Sequence, residues 1–430
     1  MENMTPAKAI IVGVCTGKEE FFNYEMKELV NLCEACNITC VESVTQNLNY
    51  TNNATYIGSG KLLELVELCK LIEVDYVIFN DELSPAELSN LADALPCEIM
   101  DRTMLILEIF KTRAKTKEAM LQVEIANLNY MLPRLVGARK NLSRIGGGGG
   151  GGAGARRGAG ETKLELDRRY IENRISKLKQ ELQEVVLSRQ TSRKSRSKNE
   201  VKTVAFVGYT NAGKSSTINS ILNHINSDID KQVFVKDMLF ATLETSTRRI
   251  KLSNNHEFLI TDTVGFVNKL PHHLVESFKS TLEEITEASL IVHLIDAASP
   301  YVDWQIETTI NVLDKLHCSN IPTVYVFNKV DLITNEIFIP TNYTPSLRIS
   351  NYNGKGIKEL IEYIETSLFP DDLEVKLLIP YTNGEVCNVL MEKANVLETN
   401  YTEQGTELKV ILSKHLYELY KKYEINEPRN

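Results

Sequence analysis

The chain has 430 residues, 43% of them hydrophobic and 24% charged, with a formal net charge of −9. That length accommodates two or three domains with cores of their own, and the best apolar run, Ala288 to Ile295, is strand-sized and interrupted by His293, far short of a membrane span. Eight cysteines scattered from Cys15 to Cys387 are not a secreted disulfide framework, and MENMTPAKAIIVGV carries no signal or presequence pattern, so a cytoplasmic protein is expected.

Residues 8 to 101 alternate strand-like and helix-like runs: AIIVGV, FNYEMKELVNLCEA, TCVESV, GKLLELVELCKLI, DYVIFN, SPAELSNLADAL and CEIMD. Such alternation predicts a small parallel α/β unit. Ser84, Pro85 and Glu87 spell a capping box with proline at the first helical position. Cys33, Cys36 and Cys40 invite a metal reading, against which helical periodicity buries the first two and Cys40 opens a strand. Gly58-Ser-Gly60-Lys61 resembles part of a phosphate loop but lacks the spacing and the following hydroxyl.

Beyond Asp101 the pattern turns helical. KEAMLQVEIANLNYML carries an apolar stripe at Leu121, Ile125, Leu128 and Leu132 and stops at Pro133. A second stripe runs through Leu164, Ile171, Ile175, Leu178, Leu182 and Val185 in a helix predicted from Glu161, ~45 Å long at 1.5 Å per residue. Two such helices predict an antiparallel arm, and the break between them is too long for a plain hairpin connection.

That break holds seven consecutive glycines, Gly146 to Gly152, flanked by basic residues. Residues 131 to 160 carry six basic groups and no acid, and residues 189 to 198 five more and no acid, so the remaining residues sum to −20. An acidic body with concentrated basic segments predicts a local polyanion contact. The glycines lose the most entropy on ordering and do not suit a core. They are expected at the tip of the arm, with Arg134, Arg139, Lys140, Arg144, Arg156 and Arg157 as RNA contacts. The strip Arg189, Arg193, Lys194, Arg196 and Lys198 is either a solvated linker or a second phosphate-contacting surface.

From Val201 the α/β pattern returns as TVAFV, RRIKL, FLITDT, LIVHLID, TVYVFN and LRIS, with RRIKL and FLITDT close enough for a hairpin. Gly208-Tyr209-Thr210-Asn211-Ala212-Gly213-Lys214-Ser215 fits G-x-x-x-x-G-K-[ST] directly after TVAFV and opens a helix containing Ser216. Amides of such a loop hold phosphate oxygens, Lys214 reaches the β and γ phosphates, and Ser215 takes a place on Mg²⁺. Asp262-Thr263-Val264-Gly265 follows the next strand, where Asp262 can hold a water on Mg²⁺ and the Gly265 amide can sense the γ phosphate. Asn328-Lys329-Val330-Asp331 follows TVYVF and places a carboxylate that accepts from the N1 and N2 protons of guanine, which adenine does not offer together. Thr242, within Phe240-Ala241-Thr242-Leu243-Glu244, is the candidate mobile threonine that joins Mg²⁺ with the γ phosphate. The expected catalytic residues are therefore Lys214, Thr242 and Gly265. Phe266 stands where Ras-like GTPases carry a water-orienting Gln, predicting slow turnover until a partner completes the site. Asn211 resembles the phosphate-loop Asn of potassium-activated GTPases, which implies K⁺ in place of an arginine finger; the alternative is an Asn that stabilises the loop. Ser350 and Asn351 stand where GTPases carry a second guanine loop.

The expected α/β fold comprises an N-terminal domain over 1–200, with the unit 8–101 and an arm 102–200 bearing a Gly-rich tip loop over 134–160. A Ras-like P-loop GTPase domain covers 201–369, and a small α+β domain 370–430. YIGSGK (56 to 61), DELSPAELSNL (81 to 91), DRTMLILEIF (101 to 110), LQVEIANLNYMLPRL (121 to 135), GAGETKLELDRR (158 to 169), GYTNAGKSS and LFATLETSTRR (239 to 249) resemble the HflX family of ribosome-associated GTPases. Lys163, Ser216, Glu244 and Asn351 depart from that family's usual Gln, Thr, Asp and Ala. The resemblance implies a GTPase that binds GTP, GDP and the large ribosomal subunit through its rRNA, acts as a monomer and splits stalled or idle 70S particles. The rival readings are a ribosome-assembly or tRNA-modification GTPase, and a non-catalytic RNA-binding hibernation factor.

Overall fold

A computed structural model describes residues 6–135, 157–197, 202–225, 246–252, 254–263, 265–269, 284–333 and 342–425. The chain divides into two compact units. One comprises Met1–Lys194, Lys236–Glu244 and Val264–Leu282, the other Ser195–Val235, Thr245–Thr263 and Glu283–Asn430.

The first unit opens with β1 (Ala7–Cys15), α1 (Glu19–Ala35), β2 (Ile38–Asn47), α2 (Ser59–Ile72), β3 (Tyr76–Phe79), α3 (Pro85–Ala94) and β4 (Glu98–Asp101). The strands form one parallel sheet in the order β2-β1-β3-β4. Its centre is apolar on both faces because helices cover it: Ile10, Val12, Val77 and Phe79 are buried on one face, Ile11 and Ile78 on the other. The Ser84 capping box is present, Ser84 N donating to Glu87 Oε2 at 2.8 Å and Glu87 N to Ser84 Oγ at 3.3 Å. Cys33 is buried and Cys36 half-buried, its thiol donating to Leu105 O, and no metal-holding group of His, Cys, Asp and Glu occurs among the described residues.

Beyond β4 the unit is helical, with α4 (Arg102–Arg113), α5 (Lys117–Met131) and α6 (Arg157–Ser197). Leu121 and Ile125 of α5 pack on Leu178 of α6, with Leu128, Leu182 and Val185 beside them, and Arg174 pairs with Glu124 at 2.8 Å across the seam. The helix begins at Arg157 rather than at the expected Glu161 and continues past Arg196 of the basic strip to Ser197, with Lys198 outside the described residues. Extending an existing helix adds turns without a new nucleus, so four residues with Gly158 and Gly160 among them can join it. The glycine run Gly146 to Gly152 lies outside the described residues.

At the C-terminal ends of β3 and β4 sits a buried polar network. Asp101 accepts from Met104 N (2.8 Å), Leu83 N (2.9 Å) and the Tyr130 hydroxyl, while burial pushes its carboxyl pKa upward. Arg102, also buried, pairs with Glu28 and donates to Asn80 Oδ1 at 3.0 Å. The segment that follows Gly265 belongs to the same unit: Asn268 donates to Glu25 Oε1 at 2.6 Å, and Lys269 Nζ lies 2.9 Å from Glu25 and 2.6 Å from Asp81.

The second unit carries β5 (Lys202–Gly208), α7 (Lys214–His224), β6 (Ser246–Lys251), β7 (Glu257–Asp262), β8 (Leu290–Asp296), α8 (Val302–Lys315), β9 (Thr323–Asn328), β10 (Ser346–Arg348) and α9 (Ile357–Leu368). Its six-stranded sheet runs β10-β9-β8-β5-β7-β6, parallel except for the β6–β7 hairpin that the sequence predicts. The chain leaves β5 for β7 on one side and β8 on the other, so a crevice opens beyond the carboxyl end of β5. Ile357, Leu360, Ile361 and Ile364 of α9, spaced as one helical face, close the core against Val204, Phe206 and Val292.

The tail forms a second, antiparallel sheet, β11-β13-β12, from β11 (Leu373–Ile379), β12 (Asn395–Thr402) and β13 (Gly405–Leu412), with α10 (Gly384–Lys393) and α11 (Lys414–Tyr420). Strand β12 lies at the sheet edge, and NVLETNYT, polar along most of its length, is held as a strand by its pairing with β13. His256 joins the two sheets' regions, its ring nitrogens 2.7 Å from Glu365 and 2.7 Å from Asp372. No helix among the described residues is long and apolar enough to cross a membrane.

Candidate functional site

The loop between β5 and α7 occupies the crevice, and its glycines are forced by close approach. Gly208 has φ 150°, and a Cβ there would lie 2.2 Å from Leu294 O. Gly213 has φ 94°, and its Cβ would lie 2.3 Å from Asn328 Nδ2. Only glycine meets both demands without moving β8 or β9. Between them, Tyr209 is buried with its ring edge-on to Trp304 of α8 at 5.6 Å, fixing the loop's second residue. Asn211 is exposed in the left-handed region at φ 62°, a conformation asparagine tolerates.

Lys214 opens α7 and turns back under the loop, Nζ donating to Gly208 O at 3.1 Å and Tyr209 O at 3.0 Å. It is 6% exposed, and burial pulls its pKa down to about 8 against the opposing pull of Asp262. Ser215 Oγ donates to Asp262 Oδ2 at 2.7 Å. Burial raises the Asp262 pKa, while Ser215 and Lys214 oppose it. Thr263 is buried, its hydroxyl donating to Phe206 O at 2.6 Å. His293, on neighbouring β8, is held neutral by burial and by the Lys214 cation, its pKa lowered to about 3.

Asn328 ends β9, and its Nδ2 donates to Ala212 O at 2.9 Å, so the motif expected to face the base also staples the phosphate loop. Asn351, whose second guanine-loop role rests on position alone, donates to Thr217 Oγ1 at 2.8 Å and Gly213 O at 3.4 Å. Ser350 is buried and donates to Asp331 Oδ1 at 2.5 Å. Val330 N bonds Ile349 O at 3.3 Å, joining the two loops. The structure thus gathers residues 208–216, 262–263, 328–331 and 350–351 around one crevice. Four buried polar atoms there have no partner among the described residues: Thr210 Oγ1, Asp262 Oδ1, Asn328 Oδ1 and Asn351 Oδ1. Buried polar atoms left unpaired cost roughly 1–3 kcal/mol each, so their convergence marks a surface built for a polar ligand.

Phe240, Ala241, Thr242, Leu243, Glu244 and Val264 lie outside the described residues. Gly265 and Phe266 are described in the first unit, Phe266 with a buried ring. Among the expected RNA contacts, Arg139, Lys140, Arg144 and Arg156 also lie outside the described residues, and Arg157 begins α6. Arg134 departs from expectation. It is 5% exposed, pairs with Glu82 at 2.8 Å, donates to Leu83 O (2.8 Å) and Tyr130 O (2.9 Å), and stacks 3.6 Å over the Tyr130 ring. A guanidinium so committed closes the base of the arm instead of facing a polyanion.

A phosphate loop at the switch point of a mostly parallel sheet, a serine and an aspartate beneath it and an Asn-Lys-Val-Asp motif at the end of β9 define a P-loop GTPase. Residues 23–111 match the family model described as GTP-binding GTPase N-terminal, 113–196 that of the GTP-binding GTPase middle region, and 203–329 that of the 50S ribosome-binding GTPase. GTPase HflX of Caldanaerobacter subterraneus subsp. tengcongensis is 41% identical over 97% of this chain and 94% of its own. GTPase HflX of Escherichia coli strain K12 is 37% identical over 84% and 83%. A crystal structure of a GTP-binding protein from the archaeon Sulfolobus solfataricus with GDP is 23% identical, covers 84% of this chain and 98% of that one, and has a TM-score of 0.44. The chain belongs to the HflX family of GTPases, and it hydrolyses GTP.

Proposed function

We propose that the protein binds the large ribosomal subunit through rRNA and separates stalled or idle 70S particles, its GTP hydrolysis stimulated by the ribosome. The unpartnered buried atoms around Gly208–Ser215 carry the nucleotide half of this reading, since phosphate, Mg²⁺ and a guanine edge are the ligands they suit. Its ribosomal half draws on the match to the 50S ribosome-binding GTPase model and on the basic residues between the arm's helices.

In this reading the amides of Gly208–Gly213 and the N-terminus of α7 hold the phosphate chain, with Lys214 reaching the β and γ phosphates. Ser215 fits a metal because its hydroxyl shares Asp262 with an oxygen left unpaired; Ser215 and Thr242 would hold Mg²⁺, with Asp262 acting through water. Mg²⁺, when bound, neutralises charge on the phosphoryl oxygens. Thr242 and the Gly265 amide respond to the γ phosphate. Asn268 and Lys269, three and four residues beyond Gly265, transmit that response to Glu25 and Asp81. Phe266 cannot orient water, so the ribosome supplies the missing group, aided by K⁺ at Asn211. The protein acts in the cytoplasm as a monomer.

The test is a sucrose-gradient profile of 70S ribosomes incubated with the protein and GTP or a non-hydrolysable analogue, alongside GTP turnover with and without large subunits. Splitting and turnover raised on the order of tenfold or more are expected. Intact 70S particles in both gradients would remove the splitting function. Activation by precursor subunits or tRNA alone would favour an assembly or tRNA-modification GTPase, and RNA binding with unchanged turnover a hibernation factor.

A further inference from the structure

The predicted strand LIVHLID ends on Asp296, whose carboxylate touches the motif after β9. In the parallel register of β8 and β9, Asp296 stands opposite Asn328, and Ala297 N donates to Asn328 O at 3.0 Å. Its carboxylate is fixed at both oxygens: Oδ1 accepts from Ala298 N at 3.1 Å, and Oδ2 accepts from Lys329 Nζ at 2.7 Å.

Lys329 is an unusual residue to hold this way. Its backbone lies in the left-handed region at φ 63°, which an L side chain enters only when its surroundings impose it. Its long stem would otherwise sample many rotamers, and anchoring the ammonium selects one of them. The pair is 26% and 20% exposed, sheltered enough to resist screening. There is also a competitor. Asp331 lies two residues beyond Lys329 and is the carboxylate read as the guanine acceptor; with the ammonium taken by Asp296, Asp331 is in no ion pair among the described residues and is oriented instead by the Ser350 hydroxyl.

We propose that Asp296 is a positioning residue for guanine recognition: it captures the Lys329 ammonium, thereby fixing that side chain beside the base and keeping Asp331 free to accept the base's N–H donors. This rests on the reading of Asn328–Asp331 as the guanine-binding motif. Asp296 touches no nucleotide itself, so its removal leaves the phosphate loop intact and alters base selection.

The test uses the full chain and its Asp296→Ala and Asp296→Glu variants, measuring GDP, ADP and inorganic tripolyphosphate binding by calorimetry, with thermal melting as a check on folding. Asp296→Ala is expected to weaken GDP binding on the order of tenfold, raise KM for GTP by a similar factor at near-constant kcat, and leave tripolyphosphate binding unchanged. Asp296→Glu, which keeps a carboxylate within reach, should recover most of the lost GDP affinity. A guanine-selective wild type whose Asp296→Ala variant binds GDP with unchanged affinity overturns this proposal alone, as does an equal loss for tripolyphosphate, which would make the pair a general support of the fold. A wild type that does not prefer GDP to ADP overturns the motif assignment and this proposal together.

Discussion

The most telling perturbation is Lys214→Met in the nucleotide-free protein, because the site lysine is held at a cost to stability. Burial lowers its pKa from 10.5 to about 8. Between those values the native state binds fewer protons than the unfolded chain, so stability rises with pH across that window and the penalty is fullest below pH 8. At 1.36 kcal/mol per pKa unit, burying this lysine costs about 3 kcal/mol at pH 7, where it stays charged, and just over 1 kcal/mol at pH 9.5, where the native side chain has lost its proton. Methionine removes the charge but also the hydrogen bonds to Gly208 O and Tyr209 O, which return about 1–2 kcal/mol. The variant should therefore be about 1–2 kcal/mol more stable than wild type at pH 7, and about 2 kcal/mol of the difference should shift in favour of wild type by pH 9.5. His293, at about 3, does not titrate in that range. Urea titrations of both proteins at the two pH values measure it, with GTP binding lost in the variant. A difference that stays constant with pH, or a variant less stable at pH 7, would refute the account of Lys214 as a buried charge.

Four further outcomes are expected. Gly213→Ala places a methyl 2.3 Å from Asn328 Nδ2 at a φ of 94°, and should abolish GDP binding in calorimetry while lowering stability by about 1–3 kcal/mol in urea titration. Arg134→Met leaves Glu82 and the carbonyls of Leu83 and Tyr130 without their donor, and should cost about 3 kcal/mol of stability without a selective loss of RNA affinity in filter binding; lost RNA affinity in a fully folded variant would return Arg134 to the contact surface. Replacing Gly146 to Gly152 with a short rigid turn should spare intrinsic GTP hydrolysis and impair splitting in the gradient assay, and survival of both activities would make the run filler. Exchanging K⁺ for Na⁺ should slow hydrolysis in wild type and have no effect in Asn211→Ala, as measured by phosphate release.

The parts legible in the sequence are those where chemistry acts over a few residues. Glycine at 208 and 213, lysine at 214 and serine at 215 follow one another because a phosphate chain needs amides, a cation and a hydroxyl within one turn, and the strand before them is a run of buried β-branched and aromatic residues. The capping box at Ser84 is equally local. Arg134 is not. Whether an arginine beside a glycine-rich stretch faces RNA or the interior depends on Glu82, fifty-two positions upstream, and on a tyrosine one helical turn behind it. Asp296 was hidden for the same reason, since its partner is supplied by the register of a neighbouring strand. Strand β12, too, is held by its pairing with β13.

The same non-local logic explains why this chain's defining amino-terminal motifs carry no obvious chemistry. Asp81, Glu82, Asp101 and Arg102 fall within DELSPAELSNL and DRTMLILEIF, and each is spent on a buried or half-buried contact with another element: Lys269, Arg134, Tyr130 and Glu28. Apolar residues of similar volume would often make as stable a core as such pairs, whereas losing one partner from a buried pair is severe. Polar residues in this number at the ends of β3 and β4 are therefore a poor route to stability but a good route to a unique geometry. Two of the partners, Lys269 and Arg134, lie respectively four residues beyond Gly265 and at the C-terminal end of the first arm helix. The network thus joins the segment that follows the Asp262–Gly265 motif to the root of the basic arm. Hydrophobic packing, which is non-directional, would hold the register of these two segments less strictly than such directional bonds do.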